Sequence, residues 1–240
     1  HVALVLDVAF MRTTGASYFD PDVRAFLDLW TAENVHRAGA VVAISAWVRD
    51  QVTQIYAADP DRIHVAPLGV DCERFCPNHA AQDLWACTER YGLRDPYIAF
   101  IGTLQPRKNL GTLAEAFRLA RDRGLSHDLA IVGRRGWRYD DIAAQLEGRE
   151  EAGIRLIGAA PAHDLPLLLA GADAFVSVGI DEGFGMPVLE AMASGVPVVA
   201  SDQAGLADAT GDAGLRVDPY DVEAIAGALL EITSDTHLRA

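Results

Sequence analysis

Residues 174–200 contain a strand, a glycine-rich turn, a helix and a second strand in immediate succession. The apolar runs 174–178 and 196–200 have the length and composition of buried strands. Between them, Pro187 has no N–H and a fixed φ, so it suits the first helical position and makes Met186 the expected N-cap. Two strands joined through one helix lie parallel, with a right-handed crossover. This unit alone commits the chain to layered α/β architecture.

The alternation continues on both sides. Tyr97 to Ile101 reads as a buried strand, followed by the loop Gly102-Thr-Leu-Gln-Pro-Arg-Lys-Asn109 and a helix over 110–124. Asn109 is its expected N-cap, and Leu113, Ala116, Phe117 and Ala120 form its apolar stripe. Further strands are expected at 129–133, 154–158 and 215–217, with helices at 164–170 and 222–232. Before these, a strand over 1–7, a helix from Asp20-Pro21 to Arg37, a strand over 41–44, a helix over 46–57 capped by Ser45, and a strand over 63–67 repeat the pattern. The expected fold is a doubly wound parallel sheet in residues 95–240 plus part of a second Rossmann-like unit in residues 1–75. Residues 76–94, polar and broken by Pro77, are expected to be a linker able to act as a hinge.

In such sheets ligands collect beyond the carboxyl ends of the strands. Gly183 and Gly185 allow the backbone to turn sharply and approach a ligand closely. The amides of Gly185, Met186, Val188 and Leu189 are expected to point out of the helix start, where an anion such as phosphate is favoured. Glu190, one turn in, can accept two hydrogen bonds from a vicinal diol such as a ribose. Glu182 precedes the turn at the strand end. A glutamate in a first helical turn is also favourable without any ligand, so the residues alone leave both readings open. Arg107 and Lys108 stand at the mouth of the same sheet edge, and Lys108 is the only lysine in the chain. Gly133 ends another strand and Arg134 and Arg135 follow it, where Gly133 and the arginines fit a base or phosphate contact or an ordinary solvated surface.

The segment Glu182-Gly-Phe-Gly-Met-Pro-Val-Leu-Glu190, with Ala-Met-Ala-Ser-Gly-Val-Pro-Val-Val after it, resembles the signature of the retaining glycosyltransferases of group 1, or family 4. That family has the GT-B fold, two Rossmann-like domains facing a cleft. The loop from Gly102 to Asn109 resembles the family's Gly-x-x-x-Pro-x-Lys-Asn loop. The resemblance implies that Glu182 contacts the transferred sugar and that Glu190 binds the ribose. It further implies that the turn Gly183-Phe184-Gly185-Met186-Pro187, Gly102, Thr103, Arg107 and Lys108 hold the diphosphate and stabilise the leaving group. It implies a nucleotide-diphosphate sugar as donor, GDP- or UDP-linked and of mannose or glucose type. The acceptor would be a glycan, lipid-linked or small molecule, and neither metal nor cofactor would be needed. Two positions depart from the family: Thr103 where many members carry Arg, and Leu6 before Asp7 where a His is frequent. The alternatives are a non-catalytic nucleotide-sugar binding module, motivated by Leu6 and by the partial first domain, and a nucleotide-sugar 2-epimerase. The latter would lack the spaced glutamate pair.

With a net charge of −14, a general nucleic-acid surface is not expected, and an anionic donor needs a local basic site. No run approaches the roughly 20 apolar residues of a membrane span. A cytoplasmic location is expected, with peripheral attachment to the inner membrane face through sequence outside these residues as a further possibility. The chain is expected to be part of a longer protein, inactive alone. Cys72, Cys76 and Cys87 fit no zinc-site spacing and are expected to be reduced. His64 is expected to pack within a strand, and His36, His127 and His163 to lie at the surface.

Overall fold

The computed structural model describes residues 1–12, 19–93, 96–146, 148 and 150–234. Among these residues two parallel sheets form. In the first, β1 (Val2–Val5), β2 (Ala40–Ala43) and β3 (Ile63–Val65) pair in that order. Helix α1 (Pro21–Arg37) starts where the Asp20 carboxylate accepts from the amides of Asp22 and Val23. Helix α2 (Ala46–Tyr56) starts where Ser45 Oγ accepts from the Val48 amide at 3.0 Å. Both starts follow the expected capping chemistry. His64, expected to be packed, is exposed, because β3 is an edge strand of this sheet.

The second sheet holds β4 (Tyr97–Ile101), β5 (Asp128–Val132), β6 (Ile154–Gly158), β7 (Ala174–Ser177), β8 (Val198–Ser201) and β9 (Leu215–Val217). Their spatial order is β6-β5-β4-β7-β8-β9, all neighbours parallel. This is the Rossmann order, and it reverses between β4 and β7. Both faces of β4 are covered: Ile98 and Phe100 pack into one apolar cluster, while Tyr97, Ala99 and Ile101 pack into the other. That division is the two-residue period of a strand buried on both sides. Helix α4 (Leu110–Asp122) lays Leu113, Ala116, Phe117 and Ala120 on the first of these faces, as its stripe predicts.

Residues 76–94, read as a linker, contain helix α3 (Ala81–Arg90). It docks on the loop before α6 (Leu165–Ala170): Arg90 Nη1 donates to both Asp164 oxygens at 2.9 Å and Tyr91 Oη donates to Asp164 at 2.6 Å. Helix α5 (Tyr139–Leu146) follows β5, α7 (Met186–Ala193) follows β7, α8 (Ala204–Thr210) follows β8, and α9 (Val222–Ser234) follows β9. His127, expected at the surface, is buried with Nε2 3.2 Å from an Asp173 carboxylate oxygen. No helix among the described residues is long and apolar enough to cross a membrane. At its open edge the first sheet exposes Val2, Leu4 and Leu6 beside Trp30 of α1, around a cavity of about 570 Å³.

Candidate functional site

The reversal point of the six-stranded sheet brings together the loops after β4 and β7. The first carries Arg107 and Lys108, and the second carries Glu182. Lys108 Nζ lies 2.5 Å from Glu182 Oε1, and Arg107 Nη1 donates to Glu182 Oε2 at 2.7 Å. All three side chains are largely withdrawn from solvent, so the chain's only lysine is buried in an ion cluster. Burial works to raise the Glu182 carboxyl, but the Lys108 ammonium and the Arg107 guanidinium outweigh it and hold the group below the usual carboxylate range.

Arg107 has four of its five N–H groups engaged. Its Nη1 also donates to the Asp181 carbonyl oxygen at 2.5 Å. The Gln105 amide, turned with its oxygen toward the guanidinium, accepts from Nε at 2.7 Å and Nη2 at 3.0 Å. Lys108 keeps more of its donors for another acceptor, because an ammonium has three. Gly102 lies against it: a Cβ on Gly102 would sit 3.5 Å from Lys108 Nζ. Asn109 stands at the N-cap of α4 with φ +58°, but its side chain does not cap the helix amides. Its Nδ2 donates to the carbonyls of Val178 and Pro219, tying the basic loop to the end of β7.

The turn after β7 differs from the expected helix start. Gly185, with φ +117°, is the N-cap, so α7 begins at Met186 and Pro187 takes the second position. That backbone conformation strongly favours glycine. The amides of Val188 and Leu189, expected to be free, both donate to the Gly185 carbonyl, at 2.9 and 3.4 Å. Among the described residues this leaves the Gly185 and Met186 amides without a hydrogen-bond partner. Phe184 is buried in the core, while Met186 and Pro187 are half-buried. Gly183 is pressed against the first sheet: a Cβ there would stand 2.0 Å from the Leu6 carbonyl oxygen, and Ser45 Oγ donates to the Gly183 carbonyl at 2.7 Å.

Glu190 is half-buried on α7, and its carboxylate makes no hydrogen bond or ion pair with the described residues. Burial raises its carboxyl above the ordinary range, and the nearby Arg74 opposes the shift. A raised folded-state pKa stabilises the fold below the unfolded value of about 4.3 and ceases to do so as pH rises through the folded value. Ionised Glu190 is therefore a cost to the ligand-free fold at neutral pH. Glu190→Gln is expected to raise the melting temperature at pH 7 by about 2 °C, the scale of a sub-kcal/mol change in a chain of this size. The gain should vanish below pH ~4, which thermal denaturation at the two pH values checks.

Glu182, Arg107, Lys108 and Gly102 thus converge, with the turn from Gly183 to Pro187 directly behind Glu182. Glu190 stands apart from the ion cluster. Gly133 and Arg134 flank the β4 loop, with Arg134 Nε donating to Thr103 Oγ1 at 3.3 Å. Asp181 and Arg12 join the site beyond the residues that the sequence motifs mark. Arg12 Nε lies 3.1 Å from the buried Asp181 carboxylate, and its guanidinium stacks 4.5 Å over the Trp47 ring, joining the two sheets beside Glu182. The paired acids Asp181-Glu182 at a strand end were the available signal. Nothing local marks Arg12.

Residues 95–235 match the model of the family described as glycosyl transferases group 1. The chain is 35% identical over 230 residues to the O-antigen chain mannosyltransferase B of Escherichia coli, covering 94% of this chain and 60% of that protein. It is 34% identical over 212 residues to a GDP-mannose-dependent alpha-(1-6)-phosphatidylinositol monomannoside mannosyltransferase of Mycolicibacterium smegmatis, covering 82% of this chain and 54% of that protein. The Anabaena Alr3699/HepE structure in complex with UDP and glucose superposes with a TM-score of 0.81 at 20% identity, covering 99% of this chain and 63% of that one. The chain therefore spans a little over half the length of these sequence relatives.

Proposed function

Because the chain belongs to the group 1 glycosyl transferases, we propose that it forms the donor-binding part of a retaining glycosyltransferase that uses a nucleotide-diphosphate sugar. One observation carries the reading: a buried Lys108–Glu182–Arg107 cluster sits at the switch point beside two unpartnered amides, with the unpartnered carboxylate of Glu190 one turn further on. The division into a partial first domain, residues 1–75, and a donor domain, residues 95–240, belongs to the same proposal.

In this reading the Glu190 carboxylate accepts from the two ribose hydroxyls, and their hydrogen bonds offset the burial of its charge. The diphosphate accepts from the Gly185 and Met186 amides and from Lys108. Arg107, with four of its five N–H groups held by Asp181, Gln105 and Glu182, acts mainly through its charge. As the glycosidic bond breaks, negative charge grows on the leaving phosphate. Donors already fixed there stabilise that charge more than the ground state. Glu182, held ionised by its cations, sets their positions and offers negative charge toward the electron-poor anomeric carbon. The acceptor attacks from the face the nucleotide leaves, so configuration is retained. The cations and the helix start do the charge stabilisation that a metal would otherwise supply. Acceptor class and any membrane attachment depend on surfaces outside the donor site.

The mannosyl transfer in the names of both sequence relatives supports GDP-mannose as donor. Calorimetric titration with GDP-mannose and with UDP-glucose tests this choice. At least tenfold tighter binding of GDP-mannose is expected, and the reverse preference would assign the site to UDP-glucose.

A further inference from the structure

We propose that Arg134, aimed by the Thr103 hydroxyl, supplies the positive charge that the central cluster lacks and contacts the outer phosphate of the donor. The inference rests on the donor-site reading above and deepens it. A diphosphate linked to a sugar carries two negative charges. The cluster offers two cations against the carboxylate of Glu182, and the nearby Arg12 is matched by Asp181. One net positive charge is a weak match for such a ligand in a chain whose net charge is −14. Arg107 can do little to make up the difference, since four of its five N–H groups are already taken.

Arg134 follows β5, the strand beside β4, so it stands at the same sheet edge. Its backbone is fixed to the loop after β4: the Leu104 amide donates to the Arg134 carbonyl at 2.9 Å, and the Gly136 amide donates to the Leu104 carbonyl at 2.9 Å. Gly133 packs so tightly on Gly102 that a Cβ there would lie 1.7 Å from the Gly102 carbonyl oxygen. Gly102 in turn adjoins Lys108, so the contacts run from the ammonium through Gly102 and Thr103 to Arg134. The guanidinium is exposed, and Nη1 and Nη2 have no partner among the described residues, leaving them for a planar, two-point grip on phosphate. Arg135 is turned elsewhere, stacked 4.6 Å over the Tyr139 ring. Arg134 is thus a ligand-contacting residue and Thr103 a positioning residue.

Titration of the whole chain with GDP and with GMP, which lacks the outer phosphate, tests this. Arg134→Gln is expected to weaken GDP about tenfold, the scale of one charge-assisted hydrogen bond, and to change GMP less than twofold. Thr103→Val should weaken GDP about threefold alone and add nothing on the Arg134→Gln background, the signature of residues acting as a unit. Arg135→Gln should leave both affinities unchanged. Unchanged GDP affinity in Arg134→Gln would overturn the proposal, as would equal losses for GDP and GMP, which would move the contact to the base. A wild-type chain that binds no GDP would sink the donor-site reading itself, and this inference with it.

Discussion

Gly133→Ala is expected to lower the melting temperature by about 6–12 °C, although the residue lies on a loop beyond the core. The added Cβ would stand 1.7 Å from the Gly102 carbonyl oxygen and 2.8 Å from its carbon. Neither partner can retreat freely. The Gly102 amide is held by the Val132 carbonyl at 2.9 Å, and the Gly133 amide by the Gly158 carbonyl at 2.8 Å. Relief of the clash must separate the ends of β4 and β5. Overpacking typically costs about 1–3 kcal/mol, and backbone against backbone belongs at the upper end. In a chain this long each kcal/mol moves the midpoint by about 2–4 °C. Gly227→Ala is the matching control. Gly227 lies in α9 with open space around its Cβ position, so alanine there should stabilise by up to about 1 kcal/mol. Thermal melts of the two variants should therefore shift in opposite directions.

Lys108→Met is expected to weaken nucleoside-diphosphate binding by about 10–100-fold, the range of a lost charge-assisted hydrogen bond. Methionine keeps most of the apolar stem, so the change isolates the ammonium. Removing it also leaves the buried Glu182 with Arg107 alone. Breaking a buried pair outright costs about 3–5 kcal/mol, and the remaining cation should hold the loss to about 2 kcal/mol. Ionised Glu182 contributes stability above the unfolded carboxylate pKa of about 4.3, and that contribution is lost as pH falls through its depressed folded value. In Lys108→Met the depression shrinks, so the stability advantage of neutral over acidic pH should narrow. Glu182→Gln added to Lys108→Met should recover part of the stability without restoring binding. Full recovery of binding in that double variant would mean that Lys108 serves only to neutralise Glu182.

The strands were the most legible part of the fold. β4, β6 and β9 occupy the predicted residues, because short apolar runs bounded by glycine and polar loops have few other uses. Asp20 and Ser45 marked the starts of α1 and α2 through local side-chain capping. Helix α3 was hidden because its hold on the fold is not local: Asp164, more than seventy residues away in sequence, anchors Arg90 and Tyr91. The start of α7 was misplaced by one residue, since Pro187 suits the first or the second position and the positive φ of Gly185 decides between them. The same shift removed two expected amide donors. Within the site, the meeting of Arg107, Lys108 and Glu182 followed from strand order. That the carboxylate would be clamped between both cations did not, because it depends on how far each loop folds back over the sheet edge. Arg12 and Asp181 meet only through the packing of one sheet against the other.

The most direct test of the donor site compares GDP with 2′,3′-dideoxy-GDP by calorimetric titration, on the wild-type chain and on Glu190→Ala. Wild type is expected to bind GDP at least tenfold more tightly than the analogue without the diol, and Glu190→Ala should bind the two equally. A wild-type chain that binds both equally, or an Ala variant that still prefers GDP, would contradict the placement of the ribose on Glu190. Absence of GDP binding in the wild type would contradict the donor site as a whole.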